Sequence, residues 1–189
     1  MKKTLLATLL LAATALTQAA PATYSVDPMH TFVTYEILHF GTSTNRGRFS
    51  ETDGVVELDK AAKTGKVSIS FPIKDVSTGV AHMDMHLNSP EILDSAKYPT
   101  ASFVGNKFTF DGDKVSTVSG ELTLHGQTHP ATLKAKNFNC YQSPMVNREV
   151  CGGDFDTVID RTQWGVDYGV QYGFSKDLHL IIQVEAIKQ

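Results

Sequence analysis

The sequence predicts a mainly β protein, an antiparallel sandwich or barrel with one or two short helices around residues 80–96. Three observations carry this reading. Beyond residue 20 the chain holds 16 Val, 8 Ile and 16 Thr against 9 Leu, and β-branched side chains pack best on a pleated surface. Apolar and polar residues alternate strictly in many segments, while no long stretch repeats with a helical period. Turn signals separate the alternating runs, as at Asp111-Gly112-Asp113, His125-Gly126-Gln127 and Gly152-Gly153. A length of 189 residues with 41% hydrophobic content suits one domain whose core needs no metal.

The elements follow in chain order. Met1-Lys2-Lys3, an apolar run from Thr4 to Leu16 and Ala20-Pro21-Ala22 form the three parts of a secretory signal peptide. Cleavage is expected after Ala22, with Ala19 as the second choice, so the folded domain is expected over residues 23–189 in the bacterial periplasm. Thr31 to Phe40, Gly54 to Asp59, Thr100 to Phe110 and Asp154 to Arg161 read as strands. In Lys66 to Ile73, the residues Val67, Ile69, Phe71 and Ile73 share one face. Gly120, Leu122 and Leu124 do so next, then Ala131, Leu133 and Ala135. Leu178, Leu180, Ile182, Val184 and Ala186 do so near the C-terminus. Val80 to Ala96 lacks alternation and ends at Tyr98-Pro99, which suggests short helices. Gly47, Gly54, Gly105, Gly120 and Gly126 suit corners of a curled sheet.

Several function classes are excluded or disfavoured. With 17 Lys and Arg against 20 Asp and Glu, and no basic block, the chain is a poor nucleic-acid binder. Neither a P-loop nor a dinucleotide fingerprint is present, so no cofactor is expected. Cys140 and Cys151 lack Cys-x-x-Cys spacing and fit an oxidising compartment, so a structural disulfide is expected, closing a long loop between two strands. His82-x-x-x-His86 with Asp84 could hold zinc on one helix face, but the Glu of His-Glu-x-x-His is missing. His125 and His129 flank a turn and make a poor metal site by themselves. Ser89 lies near His86, Asp84 and Asp94, yet no Gly-x-Ser-x-Gly is present, so neither a hydrolase nor a resident metal is expected.

Six segments, spread over nearly the whole chain beyond the leader, carry a family resemblance. They are Asp27-x-x-His30-Thr31-x-Val33; Ile37-Leu38-His39-Phe40 with Gly47-Arg48-Phe49; Asp84-Met85-His86-Leu87-Asn88-Ser89-x-x-Ile92-Leu93-Asp94; Tyr98-Pro99-x-Ala101-x-Phe103; Gly120-x-Leu122-Thr123-Leu124-His125-Gly126-x-Thr128-x-Pro130; and Ile159-Asp160-Arg161-x-x-Trp164-Gly165. In order and spacing the chain resembles the YceI-like family of exported bacterial proteins, which bind polyisoprenoid-type lipids. The resemblance implies a single extended antiparallel barrel, lipocalin-like, with an isoprenoid tail running through it and no catalysis. Relatives often carry Arg at the positions of Met83 and Asn88, so this chain favours a neutral head such as a quinone or amide.

The ligand-binding residues expected on this basis are Phe32, Phe49, Val67, Ile69, Phe71, Phe103, Leu122, Leu124 and Phe155 along the channel. Asp84 and His86 are expected at the mouth, with Arg48 as a second choice there. The expected partner is an isoprenoid-type lipid, with transient contact to a membrane or membrane protein, and the chain is expected to be a monomer or homodimer. The rival reading is a structural or stress-response exported barrel with a filled core and no ligand.

Overall fold

The computed structural model describes residues 21–189, so the expected leader lies outside the described residues except for Pro21 and Ala22, and Ala22 is the first residue of β1. Ten strands form one antiparallel sheet: β1 Ala22–Val26, β2 Phe32–His39, β3 Ser43–Phe49, β4 Asp53–Asp59, β5 Thr64–Pro72, β6 Thr100–Asp111, β7 Lys114–Leu124, β8 Gln127–Ser143, β9 Arg148–Asp160 and β10 Asp177–Lys188. One helix, α1, spans Ala81–Asn88 inside the segment expected to be helical. The alternating runs fall inside strands, because period-two burial on a half-buried sheet is a strong local signal, but β7 and β9 begin six residues before the runs read from the sequence and β8 ends seven residues beyond Lys136.

The sheet closes on itself. β10 pairs with β9 along one edge and divides its other edge between two strands. Its first half runs against β2, with Leu180 opposite Tyr35, and its end runs against β1, with Ala186 opposite Val26. The ring β1-β4-β5-β6-β7-β8-β9-β10 is therefore an eight-stranded barrel. This decides between sandwich and barrel in favour of the barrel. β2 and β3 form a hairpin that continues the wall upward from β1 and β4. Above Asp53, which opposes Ser70, β3 has no ladder to β5. A single bridge, Arg48 to Ser77, spans that seam, and residues 73–99 with α1 cover it. The helix end of the barrel is called the mouth below, and the opposite end the floor.

Two expectations are corrected. Gly152-Gly153 is not a turn but lies within β9, opposite Glu185 and Val184 of β10. An added Cβ at either glycine would strike the carbonyl oxygen of Val184 or of Asn137, so close backbone approach is what demands glycine. Likewise Cys140 and Cys151 do not flank a long loop. They are directly opposed residues of β8 and β9, with Cα atoms 4.1 Å apart and a disulfide between them. The turn is only Pro144 to Asn147, closed by the Asn147 N–H donating to the Ser143 carbonyl at 2.9 Å. β3 carries no clean alternation, and its strand character comes from tertiary pairing, whereas β1 is a short alternating run, Ala22-Thr23-Tyr24-Ser25-Val26, that the sequence reading passed over.

Loss of the disulfide should be felt as stability, since its thiols sit beside the barrel floor. A Cys140→Ser/Cys151→Ser variant is expected to lose about 2–3 kcal/mol relative to the oxidised protein, on the chain-entropy argument. Urea unfolding of both forms measures it, and peptide mapping without reductant should recover the two cysteines as one linked pair.

Candidate functional site

Alternate residues of a closed sheet point inward, and here they line two stacked apolar chambers. The lower one is a cavity of about 70 Å³, with Val67, Ile69, Phe103 and Phe155 among its lining. The upper one is a cavity of about 100 Å³, with Phe49, Phe71, Leu122 and Leu124 among its lining. The linings share no residue, yet they adjoin along the strands: Ile69 meets Phe71 on β5, Phe103 meets Ala101 on β6, and Ile182 meets Leu180 on β10. Tilted aromatic packing of Phe49 on Phe71, centroids 4.9 Å apart, shapes the upper wall.

The floor is shut by Tyr24, which is 1% exposed and lines the lower chamber. Its hydroxyl donates to Glu149 Oε1 at 2.6 Å, and Glu149 in turn accepts from Lys60 Nζ at 2.5 Å. Lys60, then the Tyr24 hydroxyl, holds the Glu149 carboxyl below its usual range. Burial and the same carboxylate push the Tyr24 phenol up. A phenol bonded outward to an ion pair presents only its ring to the chamber.

The mouth is roofed by two segments. Leu87 of α1 and Ile92 and Leu93 after it dip into the upper chamber, as does Val166 from the stretch after β9. His86 meets Tyr168 edge-on at 5.2 Å, and Phe40 meets Phe174 at 4.6 Å, so aromatic edges join the segments of the mouth here. Asp84 fastens α1 to the preceding turn by accepting from the Thr78 N–H at 2.7 Å and its hydroxyl at 2.6 Å.

Three of the residues expected to touch ligand line neither chamber. Phe32 points outward beneath the Arg48 guanidinium, whose Cζ lies 3.3 Å from the ring centroid. The inward face of β2 is Val33, Tyr35 and Ile37, so strand parity excludes Phe32, and the stack commits Arg48 to the outer surface. Asp84 and His86 lie at the roof but line neither chamber, because one is spent on Thr78 and the other on Tyr168. Asn88 Nδ2 donates to the Lys74 and Asp84 carbonyls, so this position ties α1 to the segment below it.

His125 and His129 have structural partners too. His125 Nδ1 lies 3.2 Å from the Trp164 carbonyl, and the His129 ring packs edge-on against the Trp164 ring at 5.0 Å. Trp164 itself is 2% exposed and donates to the Leu122 carbonyl at 3.0 Å. The Ser89 hydroxyl donates to the His86 carbonyl, which ends the helix. Among the described residues no group of three His, Cys, Asp or Glu is placed to hold a metal ion.

A barrel of this topology with a helical roof matches one family model, that of the YceI-like domain, over residues 24–186. The chain belongs to the YceI-like family. It is 34% identical to Protein YceI of Escherichia coli O157:H7 over 176 residues, covering 90% of each chain. A UPF0312 protein of Pseudomonas putida is also 34% identical over 175 residues, covering 91% of this chain and 90% of the relative. Among solved structures, Burkholderia cenocepacia BcnA superposes with a TM-score of 0.70 at 19% identity, covering 85% of this chain and 99% of that one. A polyisoprenoid binding domain from Saccharophagus degradans superposes at 0.63 with 13% identity, covering 89% and 99%. At these identities the likeness to the two solved structures is one of fold.

Sequence reading missed Tyr35, Ile37 and Tyr24 as lining residues, and Arg161 and Val166 at the roof. Tyr35 and Ile37 were findable, since they share the face of Val33 in a strand already recognised. Arg161 carries no apolar signal, and only its position after β9 turns it inward.

The floor should be acid-sensitive. The folded-state value of Glu149 is depressed, so its contribution is present above the unfolded glutamate value of about 4.3 and is lost as pH falls through the lower folded value. Thermal unfolding followed from pH 7 to pH 3 should show a Glu149→Gln variant losing less stability on acidification than the wild type.

Proposed function

We propose that this protein is an exported carrier that binds an isoprenoid-tailed lipid inside its barrel and performs no chemistry on it. The observation that carries the reading is the pair of stacked chambers, apolar along nearly their whole lining and adjoining along the barrel axis. A tail lying through both would remove apolar surface from water at about 0.8 kcal/mol per CH₂, ample against the cost of ordering it. The resemblance to the polyisoprenoid binding domain of Saccharophagus degradans supports the same ligand class. The departures at Met83 and Asn88 favour a neutral head, of quinone or amide type.

Delivery needs a surface that tolerates lipid. Leu38 is 45% exposed, Phe40 49%, Met85 65% and Tyr172 72%, on the end of β2, the β2–β3 turn, α1 and the stretch before β10. Apolar and aromatic side chains around the mouth suit brief contact with a membrane during transfer. The leader Met1 to Ala22 supports action in the periplasm, and sequencing the N-terminus of protein recovered from that compartment tests it. The rival reading is a filled barrel without ligand.

Blocking either chamber separates the readings. Val67→Trp fills the lower chamber and Leu122→Trp the upper one. Mass spectrometry of organic extracts from natively purified protein should find a long apolar lipid on the wild type and much less on each variant, while the melting temperatures stay close to that of the delipidated wild type. A filled core would instead be overpacked, costing about 1–3 kcal/mol. Unfolding of both variants together with lipid-free wild type would sink the carrier reading.

A further inference from the structure

Two polar side chains stand out in the lining of the upper chamber, Tyr35 and Arg161. Both are more than nine-tenths buried, at 8% and 4% exposure. Arg161 Nε donates to the Ser175 carbonyl at 2.9 Å, Nη1 to the Val166 carbonyl at 2.7 Å and Nη2 to the Tyr168 carbonyl at 2.9 Å. A guanidinium has five N–H groups, so two remain, and no carboxylate is among its hydrogen-bond partners. A buried charge with free donors is costly until an acceptor reaches it.

Tyr35 makes a second such donor. Its hydroxyl has no hydrogen-bond partner among the described residues, and burial, helped by Asp84, pushes the phenol up to about 12. It therefore stays protonated. The ring is held in place from behind by Gly47, its directly opposed partner on β3, where an added Cβ would strike the ring. The lower chamber has no equivalent, since the Tyr24 hydroxyl is spent on Glu149.

We propose that Tyr35 and Arg161 form the head-group site of the ligand, donating to acceptor oxygens of a carbonyl or carboxylate while the tail descends into the lower chamber. The assignment rests on the carrier reading above and adds both the orientation of the ligand and the chemistry of its head. Tyr35→Phe is the clean variant, because it deletes one oxygen that holds nothing else in the protein.

The test compares three probes of equal chain length on delipidated protein: a hydrocarbon, a methyl ketone and a fatty acid. Tyr35→Phe is expected to weaken the ketone and the acid about three- to tenfold, the worth of one hydrogen bond, and to leave the hydrocarbon unchanged. A wild-type preference for acid over ketone would identify the head as anionic and paired with Arg161, and equal affinity would identify it as a neutral carbonyl. Either preference supports the site provided that Tyr35→Phe acts as stated. Unchanged ketone and acid binding, or an equal loss for the hydrocarbon, would overturn the head-group site and leave the carrier reading standing. Wild-type protein that binds none of the three would overturn both.

Discussion

Closure of the sheet through β10 is the constraint on which everything else depends. An open sheet of ten strands would leave edges that recruit other chains, and it would have to bury one face against a second layer. Here the C-terminal strand supplies partners for β9, β2 and β1, so the wall is completed by backbone hydrogen bonds. Once closed, each strand has an inside and an outside that cannot be exchanged without shifting register. The interior follows from that geometry: eight strands make a space just wide enough for side chains or for one slender ligand. Which of the two applies depends on side-chain volume, and this chain leaves two chambers between its inward rows.

The two ends of the barrel are held by different forces. At the floor, long ladders of β8, β9 and β10 meet a cross-strand disulfide and the Tyr24–Glu149–Lys60 chain of contacts. At the mouth, α1 has no buried residue of its own, and the roof is joined to its neighbours by aromatic edges. Segments with few buried contacts open at small free-energy cost, while ladder-bonded segments open only near global unfolding. Polar groups follow the same division. Those at the floor are satisfied by one another, whereas Tyr35 and Arg161 under the roof retain unused donors.

Much of the barrel was legible in the sequence because period-two patterning reports directly on which side of a wall a residue faces. Val67, Ile69 and Phe71 sit where their alternation puts them, and so do Leu122, Leu124 and the inward row of β10. Phe32 shows the limit of reading by residue type: an aromatic at a strand start suggests lining, although the parity set by Val33 turns it outward. Gly152-Gly153 shows another limit, since glycines that permit close strand approach look the same as glycines that permit a turn. The mouth was least legible. Asp84 and His86 share a helix, and nothing local says that one will be consumed by Thr78 and the other by Tyr168. Sequence alone also left sandwich and barrel open, because closure depends on pairings between residues more than a hundred positions apart, such as Tyr24 with Lys188.

The seam between β3 and β5 gives the barrel a door that is not made of sheet. Elsewhere around the wall, admitting a long molecule sideways would mean unzipping a row of backbone hydrogen bonds and leaving them unpaired in an apolar interior. Along the seam only the Arg48–Ser77 bridge and the packing of residues 73–99 stand in the way. The seam is therefore the stretch of wall whose parting would break the fewest backbone hydrogen bonds, while the disulfide at the far end holds β8 to β9 by a covalent link.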